Sequence, residues 1–359
     1  MTDYLSQKIK IVSFIAIILV VLQHAINFTG YIDPNSSYIG QVSVNAIFQY
    51  VVGYGISRGA VAFFFILSGF LFFRNFDFSR YIPKLRSRVR TLLIPYVLWS
   101  AIGLGFVWIL QSIPSLTEYF SALYTGVVTG QTPVYYIQTI ANHGVSFQLW
   151  FLSDLMLYTL LAPLVYVIVR YTSVFIVLPL VVMWFLQILL PPFLAPLYRG
   201  GVFYIVGAFF ALHPITIPKE NVRSVAVFAL VSSLLILFVK TCVAFGILPT
   251  LWLTLSHLDN MTIIMGIAAI WFVYDAIPTK NLSSWMTLVT PFTFFIYVSH
   301  EPLLEILKRI GVDLMGRSDG AMLALYIFTV GLSLCLTIWL GYILRRFLPS
   351  VFRVLTGGR

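Results

Sequence analysis

The sequence is dominated by long apolar runs that contain very few charges. Of 359 residues, 60% are hydrophobic and 9% are charged, and the mean hydropathy is +0.96, whereas a soluble domain carries about 25% charged residues. Lipid must therefore solvate most of the chain. Inside a bilayer every backbone N–H and C=O needs a partner within the protein, which leaves helices or a closed barrel. Because the runs are continuous and do not alternate, we predict an all-α, polytopic integral membrane protein.

Apolar runs of about 20 residues, the length that crosses a bilayer, define about ten spans. The predicted spans are 10–29, 50–73, 91–112, 147–169, 173–190, 199–213, 224–246, 260–277, 287–307 and 321–344. A further apolar stretch at 119–140 contains Gly126, Gly130 and Pro133 and is interpreted as an external loop with a re-entrant or surface helix. No repeat or low-complexity linker divides the chain, so residues 1–359 are predicted to form a single membrane domain.

The distribution of basic residues predicts the orientation of these spans. With both termini in the cytoplasm, 16 of the 22 Lys and Arg residues fall on the inner side, as the positive-inside rule requires. The inner residues are Lys8, Lys10, Arg74, Arg80, Lys84, Arg86, Arg88, Arg90, Arg170, Lys219, Arg223, Lys280, Arg345, Arg346, Arg353 and Arg359. The net charge of +10 is therefore a mark of topology, and no nucleic-acid partner is expected.

An ionisable ring lies inside the first predicted span. His24 follows Lys10 by 14 residues, which is about 21 Å along a helix and places the ring in the outer half of the bilayer. Ionisable residues are rare inside membranes and usually face a cavity or a partner, so His24 is a candidate catalytic residue. The alternative is a structural histidine that bonds to a neighbouring helix or reaches the interface.

Two residues of opposite charge lie in other predicted spans. Arg58 begins the apolar part of the second span on a helical face shared with Gly69, and its guanidinium stays charged at any relevant pH. Asp154 lies in the fourth span, on one helical face with Tyr158. Asp154 is expected to pair with Arg58 or to orient His24. The alternatives are a purely structural ion pair for Asp154 and snorkelling to the outer surface for Arg58.

The ninth predicted span ends in polar residues near the outer surface. His300 and Glu301 come directly before Pro302, where a bend is expected because proline lacks the N–H of a helix interior. The charged residues that follow are interpreted as an interfacial end: Glu305, Lys308 and Arg309. Lys240, near the outer end of the seventh span, is predicted to snorkel.

The densest basic cluster follows the second span on the predicted inner side. It comprises Arg80, Lys84, Arg86, Arg88 and Arg90, and Arg74 precedes it. Because arginine binds phosphate through two parallel hydrogen bonds, the cluster predicts a docking site for a phosphate-bearing cytoplasmic donor. The alternative is a cluster that orients the helices and binds anionic lipid. No Cys/His pattern with zinc spacing occurs, and no metal site is predicted.

Taken in order, these segments resemble the acyltransferase family 3 membrane proteins, which modify sugars and surface polymers. The resemblance covers about residues 8–345 and is carried by "IILVVLQHA", "VAFFFILSGFLFF", "RSRVRTLLIPYVLW", "LWFLSDLMLY" and "YVSHEPLL". It implies ten transmembrane helices and transfer of an acetyl or succinyl group from cytoplasmic acyl-CoA. The acceptor it implies is a hydroxyl of a glycan, a cell-wall polymer or a lipid-linked sugar. We expect a multi-pass protein of the bacterial cytoplasmic membrane.

The resemblance also assigns roles to individual residues. His24 takes the catalytic role, and Arg58 and Ser68 belong to the active-site signature. The residues expected to face coenzyme A are Ser68, Arg74, Arg86, Arg88 and Arg90. One position departs from the family pattern, because the arginine that many members carry eleven residues before the histidine is Ser13 here. Lys8 and Lys10 lie nearby, so a different contact with the donor is expected.

These observations predict a mechanism. His24 acts as general base on a sugar hydroxyl that attacks the thioester of an acyl-CoA, acetyl-CoA in the first instance. Asp154 or Glu301 holds the imidazole tautomer and Arg58 stabilises the oxyanion; His300 completes the candidate catalytic set. A covalent acyl-histidine relay is an alternative. The alternative function is a transporter that exports a glycan or a lipid-linked intermediate.

Overall fold

The fold is helical. The computed structural model describes residues 3–28, 31–32, 38–39, 42–121, 127–142, 146–215, 217–249, 254–276 and 283–358. Two short strands, β1 (Tyr31–Ile32) and β2 (Tyr38–Ile39), pair antiparallel. The α-helices are α1 (Asp3–His24), α2 (Val44–Gln49), α3 (Ala60–Phe73), α4 (Tyr81–Arg88), α5 (Ile94–Gln111), α6 (Pro114–Ser121), α7 (Pro133–Ala141), α8 (Trp150–Leu160), α9 (Ala162–Thr172), α10 (Val174–Phe185), α11 (Val202–Leu212), α12 (Lys219–Ala244), α13 (Leu255–Ala276), α14 (Ser283–Val289), α15 (Thr293–Met315), α16 (Asp319–Phe347) and α17 (Pro349–Leu355). The helical prediction is confirmed.

Several of these segments are long and apolar enough to cross a membrane. Seven such segments occur in the described residues: Asp3–His24, Val44–Phe73, Phe78–Gln111, Pro192–Leu212, Glu220–Ala244, Leu255–Ala276 and Asp319–Phe347. The pair Phe147–Leu160 and Ala162–Thr172 is an eighth such segment if the two helices count as one span; they meet at an angle of 66°. The break at Leu161 comes two residues before Pro163, which a helix tolerates best in its first turn. The protein is therefore a polytopic membrane protein, as predicted.

A helix occupies each of the ten predicted spans, but two of these helices are not among the segments that are long and apolar enough to cross a membrane. α10 has only 12 residues, fewer than a bilayer requires. α15 carries charged residues throughout its second half. The count of ten and the cytoplasmic location of both termini stay predictions. Lys280 and Arg359 of the predicted inner set, and Gly126 of the predicted external loop, lie outside the described residues.

The first helix begins and ends earlier than predicted. Its start includes Lys8, which is 3% exposed and lies 2.5 Å from the Asp275 carboxylate and 3.8 Å from the centre of the Trp271 ring. The carboxylate neutralises the ammonium group and the ring stabilises it, so Lys8 can be buried within the helix. The predicted end at residue 29 lies outside the described residues. The helix stops at His24, which therefore lies at a helix terminus and not inside a helix.

The second predicted span is not one regular helix. A π-helical segment (Tyr50–Ile56) follows α2, and a turn at Ser57–Gly59 precedes α3. Arg58 lies in this turn, so the predicted helical face shared with Gly69 is wrong. Gly59 presses the turn against α13, because a Cβ added there would lie 3.2 Å from the Ile263 carbonyl oxygen. The absence of a side chain at Gly59 thus lets Arg58 lie beside α13.

The chain forms two compact units, each assembled from separate segments. The first unit comprises Met1–Phe76, Leu164–Thr293 and Leu304–Leu334. The second comprises Asp77–Pro163, Phe294–Leu303 and Cys335–Arg359. Helices α15 and α16 each contribute residues to both. The single domain expected from the sequence stays a prediction.

Close backbone packing characterises the first unit. α3 packs along α11, and α12 packs along α13. A Cβ added to Gly69 would lie 2.1 Å from the Tyr204 carbonyl oxygen, and one added to Gly207 would lie 2.0 Å from that of Ile66. Small residues permit such approaches in membrane helix pairs. Gly69 and Gly207 therefore let the backbones of α3 and α11 come close.

The second unit is organised around α5. Leu104 and Val107 of this helix form an apolar cluster with Val128. The Trp99 indole nitrogen donates to the carbonyl of Leu355 in α17 at 3.0 Å. The same indole lies 5.6 Å, ring centre to ring centre, from Phe295 of α15. These contacts place the first half of α15 within this unit.

Candidate active site

In the first unit, candidate residues gather where α1 ends. His24 is half-buried and is the last residue of the helix. Its carbonyl oxygen accepts a hydrogen bond from the Lys308 ammonium at 3.2 Å, and Lys308 also pairs with Glu305 at 2.5 Å. A cation at a helix carboxyl end satisfies an otherwise unbonded carbonyl and opposes the helix dipole. Lys308 and Glu305, predicted only as an interfacial end, therefore secure the backbone of His24.

A cluster of side-chain amides follows His24. The Asn27 backbone N–H donates to Gln49 Oε1 at 2.9 Å, and Gln49 Nε2 donates to Asn27 Oδ1 at 2.7 Å and to Asn45 Oδ1 at 2.6 Å. Asn27 Nδ2 also reaches the Met322 carbonyl at 3.2 Å. Gln49 and Asn45 were missed in the sequence analysis. Two amides four residues apart at the start of an apolar run were the available signal.

Arg58 pairs with a carboxylate that the sequence analysis did not consider. Its Nε donates to Asp259 Oδ2 at 2.7 Å, so Asp259 takes the place in which Asp154 was expected. Lys240 approaches the other oxygen of the same carboxylate at 2.6 Å and also donates to the Tyr54 carbonyl. Lys240 is only 3% exposed. Its predicted snorkelling is wrong, because a buried ammonium with two partners has no need to reach the surface.

In the second unit, the hydrogen bonds of His300 define its tautomer. The side chain is fully buried, and Nδ1 lies 3.0 Å from the Ile296 carbonyl and 2.8 Å from the Tyr297 carbonyl. A carbonyl can only accept, so Nδ1 carries the proton. In the neutral ring Nε2 then carries the lone pair, as a general base or an acyl-accepting nucleophile requires.

The helix that bears His300 is interrupted one residue later. Glu301 is buried and has an extended backbone (φ −103°, ψ 139°), because the residue before a proline is disfavoured in the helical region. The Glu301–Pro302 peptide is cis. The predicted bend at Pro302 is confirmed.

Asp154 lies in α8 of the same unit and is 3% exposed. The Tyr158 hydroxyl donates to its Oδ2 at 3.3 Å, which confirms that these two side chains share a helical face. A carboxylate buried to this degree needs hydrogen-bond donors. The structure therefore shows a built polar position at Asp154, and its chemical role stays a prediction.

The predicted donor-binding residues occupy several elements. Ser68 is half-buried in α3, and Arg74 follows that helix in the first unit. Arg86 and Arg88 end α4 in the second unit, and Arg90 lies in the π-helical segment Val89–Leu93. Arg86 and Arg90 are exposed, while Arg88 is half-buried. Exposed guanidinium groups are suited to binding phosphate from water.

The fold defines the class of protein: it is a polytopic helical membrane protein with histidine, arginine and aspartate in its apolar segments. A family model described as an acyltransferase domain matches residues 8–346, so the chain belongs to acyltransferase family 3 and is an acyltransferase. The resemblance inferred from the sequence is confirmed. The succinoglycan biosynthesis protein ExoH of Rhizobium meliloti (strain 1021) is 25% identical over 352 residues, covering 90% of this chain and 85% of the relative. No solved structure matches.

Proposed function

We propose that this protein transfers an acyl group, acetyl or succinyl, from cytoplasmic acyl-CoA to a hydroxyl of a glycan or lipid-linked sugar in the bacterial cytoplasmic membrane. The family match over residues 8–346 carries the proposal. A relative named for succinoglycan biosynthesis supports a polysaccharide acceptor. The long apolar helices support a reaction at the bilayer, where a cytoplasmic donor meets a membrane-bound acceptor.

In this proposal His24 is the general base. The imidazole takes the proton of the acceptor hydroxyl while the oxygen forms a bond to the thioester carbonyl carbon. The tetrahedral intermediate then collapses with cleavage of the C–S bond, and the proton passes to the departing thiolate, giving an ester and free coenzyme A. Imidazole suits this step, because the lone pair of its neutral form can accept a proton. General base catalysis contributes roughly 10²–10⁴-fold in rate.

The remaining candidate residues are proposed to supply further groups for the reaction. His300, with Nδ1 protonated, carries its lone pair on Nε2 and is a second candidate for proton transfer. Asp154 and Glu301 are the carboxylates proposed to orient an imidazole, as in catalytic triads. Both are buried, and burial strengthens electrostatic orientation because the local dielectric is low.

The donor is proposed to bind through the basic residues. Arg86 and Arg90 are exposed, and their planar guanidinium groups match the phosphates of coenzyme A. Arg88, Arg74 and Ser68 complete the proposed donor-binding set. Anionic lipid is the competing ligand for the same charges.

The proposal is tested with the protein purified in detergent, acetyl-CoA or succinyl-CoA as donor, and a glycan acceptor. Release of free thiol and the mass of the acylated glycan are followed together. His24→Ala is expected to lower the transfer rate by at least about 100-fold, the lower range for loss of a general base. Gln23→Ala is the matched control, since Gln23 is the half-buried neighbour on the same helix.

Two results would contradict the proposal in different ways. Full activity of His24→Ala removes His24 as the base while leaving the acyltransferase in place. A wild-type protein that never releases thiol from acyl-CoA in the presence of acceptors would instead favour a transporter of glycans.

A further inference from the structure

Two cations share one carboxylate in the first unit. Arg58 and Lys240 each contact one oxygen of Asp259, at 2.7 and 2.6 Å. The three side chains together carry a net charge of +1, because one negative charge offsets only one of the two positive ones. An uncompensated charge at a membrane-spanning helix is costly and usually marks a site for a ligand or an ion.

Arg58 has hydrogen-bond donors that no described residue uses, whereas the Lys240 ammonium is buried and bonded. Lys240 is 3% exposed and is held by Asp259 and the Tyr54 carbonyl. Arg58 uses only Nε, and among the described residues Nη1 and Nη2 have no hydrogen-bond partner. Its side chain is 36% exposed. The two terminal nitrogens of a guanidinium form the planar fork that binds carboxylate and phosphate.

The position of this cluster favours the acceptor over the donor. α3, which separates Arg58 from Arg74 of the proposed donor-binding set, has 14 residues and is therefore about 21 Å long. The cluster instead lies near the end of α1. Tyr54, whose carbonyl binds Lys240, packs its ring against Phe28, with 6.4 Å between ring centres, and a Cβ on Gly53 would meet the Ile26 side chain.

We infer that Arg58, Lys240 and Asp259 form a subsite for a single negative charge on the acceptor. The inference deepens the proposed function, on which it rests, by naming the acceptor as anionic. Either a carboxylate on a sugar or a phosphodiester to a lipid carrier supplies one negative charge and two oxygens for the fork of Arg58. Arg58 then binds an anion already present in the ground state, and this role replaces the oxyanion contact expected from the sequence.

The test is a binding measurement in detergent with three probes: a neutral glucose tetrasaccharide, the same chain with one glucuronate, and the neutral chain esterified to a polyprenyl phosphate. Isothermal titration gives each affinity for the wild type and for Arg58→Gln. At least one charged probe should bind about tenfold more tightly than the neutral one, and Arg58→Gln should abolish that difference. The probe that loses affinity identifies the source of the charge.

Three variants separate a loss of anion binding from a loss of folding. Arg58→Gln leaves a neutral Lys240–Asp259 pair, so the cluster should remain intact. Arg58→Lys keeps the charge without the fork and should retain only part of the preference. Arg317→Gln, an exposed arginine elsewhere in the same unit, is the matched control and should change nothing.

Several outcomes would overturn the subsite. They are equal binding of all three probes by the wild type, no binding of any probe, and an unchanged charge preference in Arg58→Gln. A protein that transfers acyl groups but binds neutral and charged chains equally keeps the proposed function and loses the subsite. Conversely, Arg58-dependent anion binding without release of thiol from acyl-CoA keeps the subsite and contradicts the proposed function.

Discussion

Gln148 supplies to Val298 the hydrogen bond that Pro302 cannot. In a regular helix the Val298 carbonyl accepts from the N–H four residues later, but that residue is proline. Gln148 Nε2 donates to the Val298 carbonyl at 3.2 Å and to the Glu301 carbonyl at 3.2 Å. The Tyr297 hydroxyl returns a bond to the Gln148 carbonyl at 2.7 Å. One buried side chain thus holds the interrupted helix that carries His300.

Gln148→Leu is expected to destabilise the protein by about 1–3 kcal/mol, because two buried carbonyls lose their donor. Thermal unfolding in detergent measures the effect. Gln131→Leu is the control, since Gln131 donates to the Val127 carbonyl at an exposed site, where water can replace the amide. If both variants unfold at the same temperature, Gln148 does not support the interruption in the way described.

Gly207→Ala is expected to destabilise the α3–α11 pair. The new Cβ would lie 2.0 Å from the Ile66 carbonyl oxygen, so the helices must separate, at a cost of about 1–3 kcal/mol for overpacking. Gly105→Ala in α5 is the matched control, because a Cβ there meets no atom within 4 Å. That control should be neutral or stabilising by up to about 1 kcal/mol. Intrinsic fluorescence during heating gives both midpoints, and a stable Gly207→Ala variant would contradict the close packing.

Arg86→Gln combined with Arg90→Gln is expected to raise the KM for acyl-CoA by about tenfold or more, as loss of charge-assisted phosphate contacts predicts. Acyl-pantetheine, which lacks the nucleotide phosphates, should show no such change. Arg223→Gln, an exposed arginine on α12, is the control. A similar rise with both donors would show that the arginines act on the fold or on lipid binding, and not on the phosphates.

The location of the helices was predictable because apolar length alone decides what a bilayer accepts. Every predicted span contains a helix, and the bend in α15 was predicted correctly from Pro302. Local chemistry altered the helix ends. α1 stops at His24, where the Lys308 ammonium donates to the His24 carbonyl and the Asn27 N–H donates to Gln49. No pattern within the first 30 residues predicts these partners, because they are distant in the chain.

The ionic partners of the candidate residues were not predictable. Arg58 and Asp259 are 201 positions apart. Asp259 falls one residue before a predicted span, where a carboxylate is ordinary and does not indicate a buried ion pair. Lys240 lies near a span end, where the sequence favours snorkelling for the same reason. Pairing depends on which helices pack together, and apolar runs of similar length and composition carry no information about that.

Helix α1 is fastened at both ends within its unit. At its beginning Lys8 is tied to Asp275 and lies over Trp271; at its end the carbonyl of His24 is tied to Lys308. Translation or rotation of α1 along its axis would have to break an ion pair at one end and a charged hydrogen bond at the other. Movement of α1 along its own axis is therefore opposed at both ends, which keeps the backbone of His24 in place.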